Sequence, residues 1–418
     1  VVIQSLSLYL VGLHHEGGLV SNPPTSSKLS LYLMAVQVIN PAKIANNTTI
    51  AKIETVLLPI LFNIKKKFFN KSMLLRRVPC VDHRIDPQIQ TSTSCPKALC
   101  ITNIQRELLH SKTKIGTISE SLWRKWSRLM NPYETVPNIC STKSSRAYFK
   151  LFEILQIFEP FIGLKDIRTM HICEAPGGFV EATCDILKGI SHKWIVQSKN
   201  GNSRNIPKIN VNLQKRKNGK ILTSGDGDIL NPDTITHLTI QGEFDMVTGD
   251  GGFDVSIDYR TQEQQSFKLI YAEVVVSINL LKKGGCMILK MFDTHTLPTI
   301  QLVYWISSMF ESVWFIKPKN SRPANGERYL VALKFKKQNP SSIVNLQNIN
   351  YVSSLGIDLS TSFLDWFKAY NEEFSREQLE FIESTMNKIA MNDMSTMNFL
   401  INSQRLMARS YCDLLKLK

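Results

Sequence analysis

The sequence predicts an α/β protein built on a doubly wound, mostly parallel sheet. Three observations carry that reading. The stretch Met170–Phe179, MHICEAPGGF, runs from a short apolar segment through an acid and two glycines into a helical pattern, a strand, tight turn and helix in succession. The same grammar recurs at Phe244–Thr248, followed by Gly249-Asp250-Gly251-Gly252 and a long apolar helix, Gln264–Leu281. Finally, the segment Val313–Ile316 reaches Arg328–Phe335 through a connection too short for a crossover helix, so the last strand is expected to run antiparallel.

The bulk numbers fit such a protein. A chain of 418 residues with 43% hydrophobic content can bury a large core and hold two or three domains. A net charge of +15 favours a polyanionic partner, RNA or DNA. Eight cysteines are scattered rather than framed for disulfides, which suits a reducing compartment. No apolar run approaches the roughly 18 residues of a membrane span. The chain begins at Val1 and its first methionine is Met34; we expect the leading segment to be poorly ordered or to lie upstream of the true start.

In chain order, residues 34–110 are weakly specified. A helical pattern over Ile50–Phe62 runs into IKKKFFNKSMLLRR (Ile64–Arg77), whose basic residues and interleaved aromatics suit phosphates and unstacked bases as well as a solvated helix face. Cys80, His83, Cys95 and Cys100 have a loosely zinc-like spacing, to be set against buried or free thiols. Trp123 and Trp126 flank basic residues on an expected helix. Ser144–Phe158 is a helix in which Lys150 interrupts an aromatic cluster, so that lysine is expected to be partly enclosed.

The turn at Glu174 lacks the G-x-G-x-x-G of a dinucleotide site. An acid at the strand end before A-P-G-G better suits a ligand with a cationic amino-acid portion, a description that S-adenosylmethionine meets. Trp194–Gln197 is the second strand; Ser198 and Asn200 stand where an acid would bind a ribose. The basic stretch Lys208–Lys220 reads as a loop or surface segment. In GDGDIL (Gly225–Leu230), Asp228 with Ile229 is placed to meet an adenine amine, while Asp226 suits a turn. Asp250 lies at the carboxyl end of a central strand, where doubly wound enzymes place chemistry. Strand Cys286–Leu289 ends at Lys290, and Glu327 precedes the last strand. Helix Leu297–Met309 lies between strands. A polar linker then leads to helices Phe363–Met386 and Met397–Leu415.

Lys150, Asp250, Lys290 and Glu327 thus fall in the order K…D…K…E, each at the mouth of an expected element. With the phrases SRAYFKLFEI, CEAPGGF, GDGDI, DGGF, GGCMILKMFD and SRPANGERY, which cover about residues 144–336, this resembles the FtsJ-like RNA ribose 2′-O-methyltransferases. Within them it is similar to the cap-specific mRNA branch of eukaryotes and viruses, which the helical phrase Ser362–Ser384 also resembles. Residues 1–110 carry no such resemblance.

The resemblance implies a Rossmann-like methyltransferase fold, a seven-stranded sheet with an antiparallel last hairpin and a helical C-terminal extension. The corresponding division is a basic N-terminal region 1–110, a methyltransferase domain 111–337 and an extension 338–418. It further implies a catalytic tetrad of Lys150, Asp250, Lys290 and Glu327. Glu174, Ala175, Pro176, Gly177, Gly178 and Phe179, with Asp228, Ile229 and Asp250, would line S-adenosylmethionine. Arg322 and Asn325 would contact substrate, and no metal is required. The expected partner is capped mRNA, with other capping or transcription machinery and no membrane, in the cytoplasm or nucleus. Ribosomal or transfer RNA is the alternative substrate, and a non-catalytic RNA-binding scaffold the alternative class. The chemistry suits these residue types. A lysine ammonium, Lys290, would stabilise charge developing on the ribose oxygen. Asp250 would hold Lys290 and Lys150 in their charged states, and Glu327 would orient a lysine.

Overall fold

The computed structural model describes residues 75–417 except 100, 140–142, 144, 202–206, 217, 223–224, 253–260, 337–343 and 392–394. The expected helix Ile50–Phe62, the basic triplet Lys65–Lys67, Cys100 and Lys217 lie outside the described residues.

The sheet is organised around β3 (Asp166–Ile172), the strand of the MHICEAPGGF stretch. It pairs in parallel with β4 (Ser191–Gln197) on one side and β6 (Phe244–Gly249) on the other. Strand order therefore reverses at β3, which opens a crevice beyond the carboxyl ends of β3 and β6. Beyond β4 lies β5 (Gly219–Leu222), and beyond β6 lies β7 (Leu281–Met291), both parallel to their neighbours. Every residue of β6 is buried, as expected for a strand covered on both faces.

The last strand of this sheet, β9 (Arg328–Phe335), inserts between β7 and β8 (Phe310–Ile316), antiparallel to both. An eighth strand, β1 (Leu75–Arg77), adds to the outer edge of β8, also antiparallel. Seven strands were expected; β1 follows a cluster of basic residues that masked its pairing potential. Likewise β5 begins inside the stretch read as a loop. It is an edge strand whose first two residues are exposed, so it lacks the apolar run of a buried strand. A separate two-stranded ribbon pairs β2 (Gln90–Ser92) with β10 (Tyr351–Ser354).

Helices cover the sheet. On the N-terminal side come α1 (Asn103–Ile115), α2 (Glu120–Met130) and the short α3 (Val136–Ile139). Helix α4 (Arg146–Phe158) precedes β3, and α5 (Gly178–Ile186) follows it. After β4 come α6 (Val211–Gln214) and, past β5, α7 (Pro232–Thr239). Helix α8 (Gln262–Leu280) packs on β6 and β7, and α9 (Leu297–Met309) on β8. The chain closes with α10 (Thr361–Met391) and α11 (Ser395–Leu414). The start of α10 belongs to the main core: Phe363, Phe367 and Tyr370 are buried there, and Tyr370 stacks on Phe315 of β8 at 4.8 Å. Among the described residues, no helix is long and apolar enough to cross a membrane.

The turn between β3 and α5 depends on its glycines. Gly177 has φ 118°, a conformation costly for any residue with a Cβ. A Cβ on Gly178 would lie 2.8 Å from the backbone nitrogen of Tyr148 and against Ser145 Oγ, so it sets how closely α5 approaches α4. Gly178→Ala is expected to destabilise the protein by ~1–3 kcal/mol, the usual cost of overpacking. Urea unfolding measures it, and an unchanged midpoint would show that α4 and α5 separate freely.

Candidate active site

Asp250 follows β6 at the crevice, and Lys290 lies next to the end of β7. Because β9 runs antiparallel, its start meets the end of β7: Met291 pairs with Arg328 and Lys290 with Tyr329. Glu327, one residue before β9, therefore arrives at the same edge as Lys290. Lys150 reaches that edge from α4, in front of β3.

These four side chains form two contacting pairs. Lys290 Nζ donates to the Asp250 carbonyl oxygen at 2.7 Å and lies 3.3 Å from Asp250 Oδ1. Lys150 Nζ lies 2.7 Å from Glu327 Oε1 and donates to Oε2 at 2.8 Å. Lys150 thus pairs with Glu327, whereas the sequence suggested Asp250 as its holder; the antiparallel β9 brings the glutamate to it. The Lys150 side chain is 14% exposed, in keeping with the expected enclosure.

The electrostatics knit the pairs together. Burial opposes the charge on Lys290, but Asp250, Glu327 and Glu273 outweigh it and hold the amine above the ordinary lysine range. Burial likewise opposes ionisation of Glu327, yet Lys150, Lys290 and a hydrogen bond from Ser321 bring its pKa down to about 2. At neutral pH the site therefore holds a charged Lys290 and an ionised Glu327, packed where water is scarce.

Several supporting groups escaped sequence reading. Tyr329 OH donates to Asp250 Oδ1 at 2.9 Å. Ser321 Oγ donates to Glu327 Oε1 at 2.7 Å. Glu273 of α8, fully buried, accepts from Gly251 N at 3.0 Å, beneath the turn that carries Asp250. Burial pushes its carboxyl up to about 8. Their only signal in sequence was position: Tyr329 two residues after Glu327, and an acid, Glu273, inside an apolar helix.

The expected cofactor residues surround the crevice at β3. Glu174 is buried, and its Oε1 accepts from Phe179 N at 2.7 Å and Val180 N at 2.9 Å, capping α5. Burial and the neighbouring Asp250 push its carboxyl up, against those two hydrogen bonds. Ala175 N donates to Ser198 Oγ at 3.3 Å, which ties the A-P-G-G turn to the end of β4. Phe179 is buried, its ring 5.9 Å from that of Tyr329, the partner of Asp250. Asp228 pairs with Lys199 at 2.7 Å, and its Oδ1 accepts from Leu230 N at 3.0 Å. The Ile229 side chain lies in the main core. Glu174, Asp228 and Asp250 follow the carboxyl ends of β3, β5 and β6, with Glu174 buried and the other two part-exposed.

The two expected substrate residues are engaged within the protein. Arg322 donates to Glu134 at 3.0 Å and 3.3 Å, and Asn325 accepts from Lys317 through both its carbonyl and its side chain. Lys215 and Arg216 are exposed. Of the cysteine–histidine set, the three described members have separate neighbours: Cys80 Sγ faces Glu311 O, His83 packs near Tyr304, and Cys95 Sγ lies near Pro96 O. Among the described residues no three His, Cys, Asp or Glu side chains are grouped to hold a metal.

Residues 144–335 match the FtsJ-like methyltransferase family. The cap-specific mRNA (nucleoside-2'-O-)-methyltransferase of Autographa californica nuclear polyhedrosis virus is 32% identical over 219 residues, which are 51% of this chain and 78% of the viral protein. The chain belongs to the FtsJ-like methyltransferase family. Cap-specific mRNA (nucleoside-2'-O-)-methyltransferase 2 of Drosophila melanogaster is 27% identical over 65% of this chain and 43% of its own length. Cap-specific mRNA (nucleoside-2'-O-)-methyltransferase 1 of Trypanosoma brucei brucei is 31% identical over 40% of this chain and 46% of its own length. This FtsJ-like chain thus spans less than half the length of those two cellular relatives.

Proposed function

We propose that this FtsJ-like protein transfers a methyl group from S-adenosylmethionine to a ribose 2′-hydroxyl near the 5′ cap of mRNA. The observation that carries the reading is the meeting of Lys150, Glu327, Lys290 and Asp250 at the carboxyl edge of β6 and β7, beside the acid-lined crevice of β3. The names of the viral, fly and trypanosome relatives favour capped mRNA as the RNA.

S-adenosylmethionine, when bound, supplies a methyl group on a sulfonium sulfur. Asp250 favours its positive charge, Glu174 holds the turn by capping α5, and the Gly177-Gly178 turn admits the ligand close to the backbone. Asp228 is proposed to meet the adenine on exchanging its Lys199 partner, with Ile229 anchoring that loop in the core. Lys290 would aim its ammonium at the ribose 2′-oxygen and stabilise the negative charge left there as the hydroxyl proton departs to solvent; the new O–CH3 bond would form as the S–CH3 bond breaks, leaving a neutral thioether. Asp250 keeps Lys290 charged and placed, Tyr329 steadies Asp250, and Glu327 does the same for Lys150. Holding both substrates in near-attack geometry supplies ~7–11 kcal/mol of the barrier reduction.

Arg322 is proposed to turn from Glu134 to an RNA phosphate. Lys215 and Lys217, with Lys65–Lys67, would add phosphate contacts, so RNA affinity should fall steeply with salt. On this reading residues 111–337 hold the chemistry, 1–110 supply basic surface and 338–418 a helical extension. The protein would act in the nucleus or cytoplasm, with other capping or transcription machinery.

Labelled methyl transfer to capped, ribosomal and transfer RNA tests the proposal. Capped RNA is expected to be methylated fastest, at a ribose 2′-oxygen. Transfer confined to ribosomal or transfer RNA would replace the substrate assignment, and RNA binding without any transfer would leave a scaffold.

A further inference from the structure

We propose that Lys317 is a positioning residue for this reaction, whose ammonium folds the β8–β9 connection so that Glu327 meets Lys150. The inference rests on the methyltransferase reading above.

Lys317 directly follows β8, ten residues before Glu327. Its Nζ donates to Asn325 O at 2.8 Å, to Asn325 Oδ1 at 3.0 Å and to Glu327 O at 2.8 Å. An ammonium has three N–H donors and no acceptor, so these three oxygens take its whole capacity. Ser321 Oγ lies at 3.5 Å as a longer contact. All three close partners lie on the far side of one loop. Their bonds pull residues 325–327 back onto the end of β8, and one acceptor is the main-chain carbonyl of Glu327 itself.

The rest of the loop is held to match. Ser321 N donates to Pro318 O at 2.8 Å, and Asn325 N to Arg322 O at 3.2 Å. Lys319 N donates to the buried Glu153 carboxyl at 3.0 Å and 3.2 Å, one turn along α4 from Lys150. Gln378 of α10 donates to Ala324 O at 2.6 Å, and the Phe374 ring lies 5.3 Å from Lys317 Nζ. The C-terminal extension thus holds the loop through Gln378 and Phe374. Only then does the Glu327 carboxylate present one oxygen to Ser321 and both to Lys150.

Lys317 touches main-chain and amide oxygens of its own loop, so its effect must pass through Glu327. Burial pushes its amine down to about 7, against the pull of Glu327, while Arg328 and Lys150 add to the depression and Asp293 opposes it. The test is therefore run at pH 6.5, where the ammonium form dominates.

Lys317→Met keeps the stem and removes all three donors. The full chain is assayed for kcat and for RNA KM with capped RNA, and S-adenosylmethionine affinity and stoichiometry are measured by calorimetry. A displacement of about 1 Å at a catalytic group costs on the order of 10²-fold, so kcat is expected to fall by that amount. RNA KM, cofactor Kd and the number of cofactor sites should stay within about twofold. Should the methionine variant not fold, Lys317→Arg is read instead. Its planar head cannot make three diverging bonds, and kcat should fall about tenfold with cofactor sites intact. A folded variant that keeps kcat within twofold overturns the proposal, as does a loss of rate matched by an equal loss of cofactor sites. Wild type runs in parallel: if it methylates no RNA, the functional reading fails, whereas an active wild type with an unaffected variant overturns the positioning role by itself.

Discussion

Lys290→Ala is expected to lower methyl transfer by at least ~10²–10³-fold, the cost of losing one donor aimed at developing oxyanion charge. Two features of the structure set the size of that effect. The ammonium is fixed by the Asp250 carbonyl at 2.7 Å and its carboxylate at 3.3 Å, so it spends little energy on reorganising as charge develops. Its pKa is held above the ordinary value despite burial, so it carries full charge at neutral pH. RNA affinity and its salt dependence should be nearly unchanged, since Lys290 ends a buried strand and phosphate contacts belong to exposed cations. Cofactor affinity should fall little, because Glu174 and Asp228 remain. Single-turnover transfer at saturating RNA, with filter binding across a salt series, separates the two quantities. If binding collapses together with rate, Lys290 is an RNA contact and the assignment of its charge to the transition state fails.

The second large effect concerns stability. Asp293, just after β7, pairs at 3.3 Å with Arg328, whose side chain is fully buried. The guanidinium lies 3.4 Å from the Phe374 ring centroid of α10, and Lys112 of α1 approaches Asp293 at 3.6 Å. This charge cluster joins the sheet, α1 and the C-terminal extension. Asp293→Ala strands the Arg328 charge, and breaking a buried pair costs ~3–5 kcal/mol. Because the Asp293 side chain is 20% exposed, the lower end, ~3 kcal/mol, is expected. Arg328→Met combined with Asp293→Leu should recover much of the loss, since it removes the fully buried charge and leaves only the part-exposed Lys112 without its partner.

The pH dependence of that effect has a definite sign. Burial would raise the Asp293 carboxyl, but Lys112, His295 and Arg328 outweigh it and hold it well below the usual carboxylate range. The folded protein then binds this proton less readily than the unfolded chain. Its stabilisation is complete above the unfolded pKa of about 3.9 and is lost as pH falls below it. Urea unfolding of wild type and Asp293→Ala should therefore differ most near neutrality and converge in acid. A difference below about 1 kcal/mol at pH 7 would mean that the cluster relaxes or hydrates on losing its carboxylate.

What could be read before folding was local. The strand, glycine turn and helix at Met170–Phe179, the apolar helix behind Asp250 and the Leu297–Met309 helix announce themselves through period and turn chemistry, because those signals reside in adjacent residues. The order Lys150, Asp250, Lys290, Glu327 was also legible, each at an element's end, and with it the resemblance to the FtsJ-like family. The pairing of Lys290 with Asp250 was legible too, but the partner of Lys150 was not. That Lys150 meets Glu327 follows from β9 entering antiparallel between β7 and β8, a long-range choice that no local pattern specifies. The same holds for β1, three residues long and half-hidden in a basic run, which becomes a strand only because β8 offers an open edge. The buried Glu273, the Arg328–Asp293 pair and the three bonds of Lys317 likewise unite residues far apart in sequence. A charged side chain in sequence reads as solvated; tertiary structure decides which ones lose water, because only there are their partners and their burial defined.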